Sequence, residues 1–217
     1  MGIGDVFNFF MRSNKNKLKN GTHQLNYKNG NTMLIGKVVK GDKEGVWKLF
    51  YETGNLKSRG AYHKGLKEGY WEYFYENAKM KQKEFYKHSK REGKWTSFYA
   101  NGNVKTETIY KDGKQSEPLV WFNEKGTIQI VGKPTPGAEH GSFTEYYDSG
   151  EQKCKKFYRS GKLHGRYVEY HKNGKIKAHG EYSLNKKIGD WIWYESDGRI
   201  SVEKRYDNHG STAEKSE

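Results

Sequence analysis

The stretch FYETGNLKSRGAYHKG, residues 50–65, recurs in altered form as FYENAKMKQKEFYKHS at 74–89 and as FYANGNVKTETIYKDG at 98–113. Each copy starts with aromatic residues, passes through a turn and returns to a tyrosine through residues that favour strands. The pairs Thr53-Gly54 and Asn101-Gly102 accept positive φ, which is typical of a two-residue hairpin turn. Each copy therefore predicts one β-hairpin.

The repeat has a period of 24 residues and runs without insertion from about Lys17 to Asn208. Two columns of positions define it, and glycine occupies fourteen of their sixteen places. The columns are Gly30, Gly54, Ala78, Gly102, Gly126, Gly150, Gly174 and Gly198, and, nine residues earlier, Gly21, Gly45, Gly69, Gly93, Glu117, Gly141, Gly165 and Gly189. Such a period indicates a repeat architecture. We predict an all-β, elongated, single-layer antiparallel meander of about eight hairpins.

A two-residue turn determines which side chains share a face of the sheet. It places Trp47 opposite Gly60, Leu49 opposite Ser58 and Tyr51 opposite Leu56. Large rings then stand over small residues, so we assign this side as the packed face. Its ring column is Trp47, Trp71, Trp95, Phe143, Tyr167 and Trp191.

The other face carries a ring and a lysine in each of five hairpins. The same register pairs Phe50 with Lys57, Phe74 with Lys81, Phe98 with Lys105, Tyr146 with Lys153 and Tyr170 with Lys177. These ten residues form the candidate partner-binding surface. The alternative interpretation is that the lysines keep an open sheet soluble while the rings pack across strands.

One repeat departs from the pattern. Residues 113–136 contain all three prolines and have Glu117 in place of a glycine. Because proline cannot donate to a sheet ladder, we expect a bend or break, most sharply at 132–137. We predict five segments along the chain: a capping or anchoring segment at 1–16, repeats one to four at 17–112, the atypical repeat at 113–136, repeats six to eight at 137–208, and a disordered tail at 209–217.

Composition and motifs argue against catalysis. The net charge is +14 and only 33% of residues are apolar, yet 15% are aromatic, which supplies rings for packing in place of an aliphatic core. No phosphate-binding loop, dinucleotide motif or metal-ligand spacing is present. His140 and His164 occupy the repeat position of Glu44, so we interpret them as turn residues. Cys154, in the small packed position of Ser58, is not expected to be a nucleophile. We therefore predict a non-enzymatic protein with no cofactor and no metal.

Several units resemble a known family at nearly every characteristic position. Gly45, Trp47, Phe50-Tyr51, Gly54 and Leu56, followed by Tyr62, look like the variant MORN repeat of bacterial proteins labelled YwqK-type antitoxins. The resemblance implies a row of antiparallel hairpins and a role in neutralising a partner toxin. The first repeat, with His23 and Asn26 in place of aromatics, and the 113–136 repeat depart from the family pattern.

The predicted partner is an acidic protein, such as a toxin or effector, because a broad basic surface attracts opposite charge. The alternative is a peripheral membrane protein that binds anionic lipid through the basic aromatic face and residues 1–16. Nucleic acid ranks third, since acidic residues at the turns interrupt the basic surface. Self-association through open sheet ends is a further expectation. A single cysteine and the absence of an export signal favour a cytoplasmic location, with peripheral membrane contact in the lipid-binding alternative.

Overall fold

The computed structural model describes residues 19–132 and 140–212. Within them every regular element is a β-strand, and the chain divides into two compact units, Met1–Ser116 and Glu117–Glu217. No helix long and apolar enough to cross a membrane occurs in this described part. The predicted segment 1–16, most of the predicted break at 132–137, and the last five residues of the predicted tail lie outside it.

Unit 1 is an antiparallel meander in which successive strands pair in chain order. Its strands are β1 Gly21–Asn26, β2 Thr32–Val39, β3 Asp42–Phe50, β4 Leu56–His63, β5 Leu66–Phe74, β6 Met80–Lys87, β7 Lys90–Arg91, β8 Gly93–Phe98, β9 Val104–Lys111 and β10 Lys114–Gln115. The predicted hairpins correspond to β1–β2, β3–β4, β5–β6 and β8–β9, which confirms the 24-residue repeat in this unit.

Unit 2 continues the same plan of antiparallel neighbours. Its strands are β11 Leu119–Phe122, β12 Ile128–Gly132, β13 Gly141–Tyr146, β14 Gln152–Arg159, β15 Lys162–Leu163, β16 Gly165–Tyr170, β17 Ile176–Ser183, β18 Lys186–Tyr194 and β19 Ile200–Tyr206. The proline-containing repeat still forms a hairpin, β11–β12, but its strands are short.

The turn inside each hairpin differs from the prediction. The Tyr51 amide donates to the Asn55 carbonyl oxygen at 2.8 Å, and the Gly54 amide donates to the Tyr51 carbonyl oxygen at 2.9 Å. The loop therefore has three residues and ends in Gly54, whose φ of +92° is the left-handed conformation of a glycine bulge. The predicted pairing of Tyr51 with Leu56 is wrong, because a register shift after Leu49 leaves Lys57 unpaired.

Where the structure describes the link between two hairpins, that link contains a two-residue turn with left-handed residues, and the clearest case is Lys64-Gly65. Lys64 and Gly65 have φ of 48° and 77°, and they lie between the paired residues His63 and Leu66. This is the geometry of a type I′ turn. The Lys64 amide also donates to the Glu44 carboxylate at 2.9 Å, and the Ser160 amide donates to His140 Nδ1 at 2.9 Å in the same way. His140 thus serves as a turn residue, as predicted.

The packed face is confirmed where tryptophan meets glycine. Trp47 pairs with Gly60 and Leu49 with Ser58, and all four are buried. The Trp71 ring also lies against the Gly60 backbone, where an added Cβ would come within 2.2 Å of it. Backbone and ring are therefore in direct contact, so the tryptophan rings themselves cover the backbone on this face of the single-layer sheet.

In several hairpins, a tyrosine just after the first strand donates a hydrogen bond to the next hairpin. Tyr51 Oη donates to the Phe74 carbonyl oxygen at 2.8 Å, and Tyr75 Oη donates to the Phe98 carbonyl oxygen at 2.7 Å. Tyr147 repeats this contact in unit 2, with the Tyr170 carbonyl oxygen at 2.8 Å. These bonds satisfy carbonyl groups that the three-residue loops leave outside the strand ladder.

Candidate interaction surface

A row of cations crosses the packed face of unit 1, and it is not the surface predicted from the sequence. Lys43, Lys67 and Arg91, called the cation row below, occupy the same place in three successive repeats. Each lies just after the two-residue turn that connects two hairpins, and each pairs with a residue near the end of the preceding strand, as Lys67 does with Tyr62. Neighbouring members are two strands apart, which corresponds to roughly 9–10 Å.

Aromatic rings support the two lysines of the row. Lys43 Nζ lies 4.6 Å from the Tyr62 ring centroid, and Lys67 Nζ lies 4.2 Å from that of Trp71 and 4.5 Å from that of Tyr86. The rings contact one another edge to face, with Tyr62 and Trp71 centroids 5.0 Å apart. This continuous ring ladder holds each ammonium in a fixed position by cation–π attraction.

Burial makes these ammonium groups costly to keep charged. It lowers the pKa of Lys43 to about 8, with the positive charge of Lys67 as the second cause. Burial also lowers the pKa of Lys67, against the opposing charge of Glu84 and with a further contribution from Arg91. A nearby anion would favour the charged form of both lysines. A negative group at this surface would therefore offset part of the cost of burying the two ammonium groups.

Glu84 replaces the glycine over which a tryptophan would otherwise lie. It is the counterpart of Gly60, and only 2% of its surface is exposed. Its carboxylate accepts hydrogen bonds from Tyr73 Oη at 3.2 Å, Gln82 Nε2 at 2.8 Å, Tyr86 Oη at 2.8 Å and Trp95 Nε1 at 2.9 Å. Arg91 approaches it at 3.5 Å. Burial, followed by the charge of Glu84, raises the pKa of Tyr73 and of Tyr86, the latter to about 12.

Unit 2 has one comparable lysine in its last hairpin. Lys187 Nζ lies 4.4 Å from the Trp191 centroid and 4.7 Å from that of Trp193, and burial lowers its pKa. It lines a cavity of about 520 Å³ together with Lys177 and Tyr206. The preceding repeat has Leu163 in this place, paired with Tyr158. Among the described residues of unit 2, 117–132 and 140–212, the arrangement is therefore a single cation rather than a row.

The predicted ring-and-lysine pairs are not opposite one another. Because of the three-residue loop, each ring pairs with the residue before the predicted lysine. The observed pairs are Phe50 with Leu56, Phe74 with Met80, Phe98 with Val104, Tyr146 with Gln152 and Tyr170 with Ile176. A partner-binding role for these ten residues stays a prediction, but the geometry on which it depended is wrong.

The lysines of that prediction contact other groups. Three of them lie over the tyrosine that follows the predicted ring in the sequence. The distance from Nζ to the ring centroid is 5.1 Å for Lys57 and Tyr51, 5.6 Å for Lys81 and Tyr75, and 5.5 Å for Lys105 and Tyr99. Lys177 forms an ion pair with Glu169 at 2.8 Å, and Lys153 is exposed. The Phe74 ring lies 6.0 Å from the guanidinium of Arg59. The prediction missed the cation row, although a basic column two residues before Gly45, Gly69 and Gly93 was visible in the sequence.

The isolated candidates for chemistry are accounted for by packing. Cys154 is 4% exposed, and burial raises the pKa of its thiol to about 11, which is unfavourable for a nucleophile. Across residues 19–132 and 140–212, no three His, Cys, Asp or Glu side chains gather as a metal site would require.

Comparison with known families agrees with the repeat frame. Residues 43–64, 67–88, 91–112 and 163–183 match a family model described as the MORN repeat variant. The first three matches begin 24 residues apart and the fourth begins five periods after the first. Four repeats of the chain therefore match the MORN repeat variant, a repeat that suggests a scaffold for protein or membrane interaction. The narrower resemblance to YwqK-type antitoxins stays a prediction.

Other comparisons add little to this assignment. No curated protein matches the chain significantly. A crystal structure of TcdB2-TccC3-Cdc42 has a TM-score of 0.24 at 9% identity, covering 84% of this chain and 12% of that one. A structure of the Photorhabdus luminescens Tc holotoxin pore has a TM-score of 0.25 at 10% identity, covering 93% and 14%. The chain therefore spans only a small part of either protein.

Proposed function

We propose that this chain is a non-enzymatic repeat scaffold that binds an acidic partner protein through the cation row. The observation that carries the proposal is the recurrence of a ring-supported cation at one position in three successive repeats, since the Arg91 guanidinium also lies 5.1 Å from a ring centroid, that of Tyr110. Cations held on rings and partly removed from water are suited to charged contacts, because they are pre-ordered before binding. In the cell, we propose that the chain acts in the cytoplasm as an antitoxin or immunity protein whose partner is a toxin.

The test compares two double variants that remove equal charge from the same two hairpins. Lys43→Gln with Lys67→Gln disrupts the row, whereas Lys48→Gln with Lys87→Gln changes exposed lysines that lie outside both the row and the ten candidate residues. Tagged protein is used to capture partners from native lysate, with circular dichroism to check that each variant folds. We expect a stoichiometric acidic protein with wild type and with the second variant, and loss with the first.

Two results would overturn the proposal. One is capture of no stoichiometric protein by the wild type. The other is equal capture by both double variants, which would place binding away from the row. The antitoxin role has its own readout: co-expression of the captured protein should be toxic alone and harmless with the wild-type chain.

The membrane-binding alternative is favoured by the net charge of +14. Flotation with vesicles containing anionic lipid, at low and at physiological salt, separates the two functions. Binding that requires Lys43 and Lys67 and occurs without any protein partner would support the lipid alternative instead.

A further inference from the structure

We infer that the cation row recognises acidic side chains placed at every third residue of a polyproline II segment lying across strands β3, β5 and β7. This inference rests on the proposed function, because it specifies which acidic segment of a partner protein the row binds. It follows from the spacing of the three cations and from the direction in which they are aligned.

The spacing is determined by the sheet. Trp47, Gly60 and Trp71 pair directly across three neighbouring strands, so one repeat displaces equivalent residues roughly perpendicular to the strands. Lys43, Lys67 and Arg91 are equivalent residues of successive repeats and share this displacement. Two inter-strand distances separate neighbours, about 9.5 Å, and the outer two cations are about 19 Å apart. A ligand that pairs with all three must present negative groups on one side at that interval.

Polyproline II geometry matches this interval better than the regular alternatives. It has three residues per turn and a rise of about 3.1 Å, so every third side chain points the same way at about 9.3 Å. An extended β-strand presents same-side residues at about 6.6 or 13 Å. In an α-helix, positions seven apart repeat at about 10.5 Å, which is out of step by about 2 Å at the third cation.

The character of each cation suits a carboxylate. The two lysines are partly buried over rings, so an incoming carboxylate meets an ammonium group of restricted position. Arg91 contacts Glu84 on its buried side, but 43% of its side chain is exposed and can donate outward. A proline-rich segment also loses little conformational entropy on binding, since it is already extended in solution.

The test uses two labelled peptides of identical composition. One is Glu-Pro-Pro-Glu-Pro-Pro-Glu and the other is Glu-Glu-Glu-Pro-Pro-Pro-Pro, and each is titrated with full-length protein at low salt by fluorescence anisotropy. We expect the spaced peptide to bind at least about fivefold more tightly, since only it reaches three cations at once. Lys43→Gln with Lys67→Gln should weaken its binding by about tenfold or more, through loss of two charge-assisted contacts.

The matched double variant Lys48→Gln with Lys87→Gln should bind the spaced peptide as the wild type does. Equal binding of the two peptides, or binding of neither, would overturn the inference. Neither result affects the proposed function, whose failure appears separately as partner capture that ignores Lys43 and Lys67.

Discussion

At the scale of single residues, Lys43 shows what the packed face costs. Its ammonium group lies 4.6 Å from the Tyr62 ring, 3.5 Å from the Tyr62 hydroxyl and near the charge of Lys67. In the unfolded chain the same amine has its ordinary pKa of about 10.5. The folded state therefore binds fewer protons than the unfolded state between about pH 8 and pH 10.5.

This difference makes stability depend on pH in a defined direction. The free energy of unfolding of the wild type should rise, through this group, as the pH increases from about 8 to 10.5. Lys43→Met keeps most of the side chain but removes the charge, so it should be more stable than the wild type below pH 8. That advantage should shrink across the window, as measured by urea unfolding at pH 7, 8.5 and 10.

Lys43→Arg is the control, because arginine keeps its proton throughout this range. It should lack the rise and be less stable than the wild type at pH 10. Parallel pH profiles for the wild type and Lys43→Met would contradict the assignment of a lowered pKa to Lys43.

At the scale of elements, the two kinds of turn explain what the sequence could and could not predict. The period, the hairpins and the pairs Trp47–Gly60 and Leu49–Ser58 were predictable, because ring and glycine columns repeat every 24 residues. The length of each turn was not predictable, because Thr53-Gly54 and Lys64-Gly65 both allow positive φ. Only the backbone shows that the former belongs to a three-residue loop and the latter to a two-residue turn.

The ring-and-lysine surface failed for the same local reason. In the second hairpin Lys57 has no partner across the strands, so Phe50, which is nearer the loop, pairs with Leu56 instead of Lys57. The strands beyond it keep their predicted register, so the packed face was right while the candidate site was wrong. Sequence periodicity shows which residues are equivalent between repeats, but contact between two columns depends on turn geometry.

Ala78 offers a test of the three-residue loop. It occupies the place of Gly54, with a φ of 63° that a residue with a Cβ adopts only at a cost of roughly 1–2 kcal/mol. Ala78→Gly should therefore raise the free energy of unfolding by about 1 kcal/mol, as measured by urea denaturation. Gly54→Ala should lower it by a similar amount, because an added Cβ there meets nothing closer than 3.8 Å and only the backbone is strained. If both substitutions left stability unchanged, these positions would not be left-handed.

At the scale of the whole molecule, the repeat behaves as a one-dimensional array, because each hairpin within a unit pairs with its sequence neighbours. Deleting 24 consecutive residues, one full period, should then bring together two strands that present the same surfaces as the strands now in contact. Deletion of residues 67–90 joins Leu66 to Arg91, which are consecutive positions of the repeat. It also removes Glu84, so that Trp95 follows Gly60 in the way that Trp71 now does.

We expect the protein lacking 67–90 to fold with an unchanged β-sheet circular dichroism spectrum per residue. Trp95 should become buried over Gly60, which would shift tryptophan emission to shorter wavelength. Deletion of 67–89, one residue fewer, is the control: an odd offset turns side chains of the following strand to the wrong face, so this protein should unfold at much lower urea concentration. Equal stability of the two deletions would show that the 24-residue period does not control packing.

The protein lacking 67–90 also tests the cation row, because it lacks Lys67 and keeps only two members, Lys43 and Arg91. The spaced acidic peptide needs three cations to bind more tightly than the clustered one, so it should lose its preference for this protein, as measured by fluorescence anisotropy.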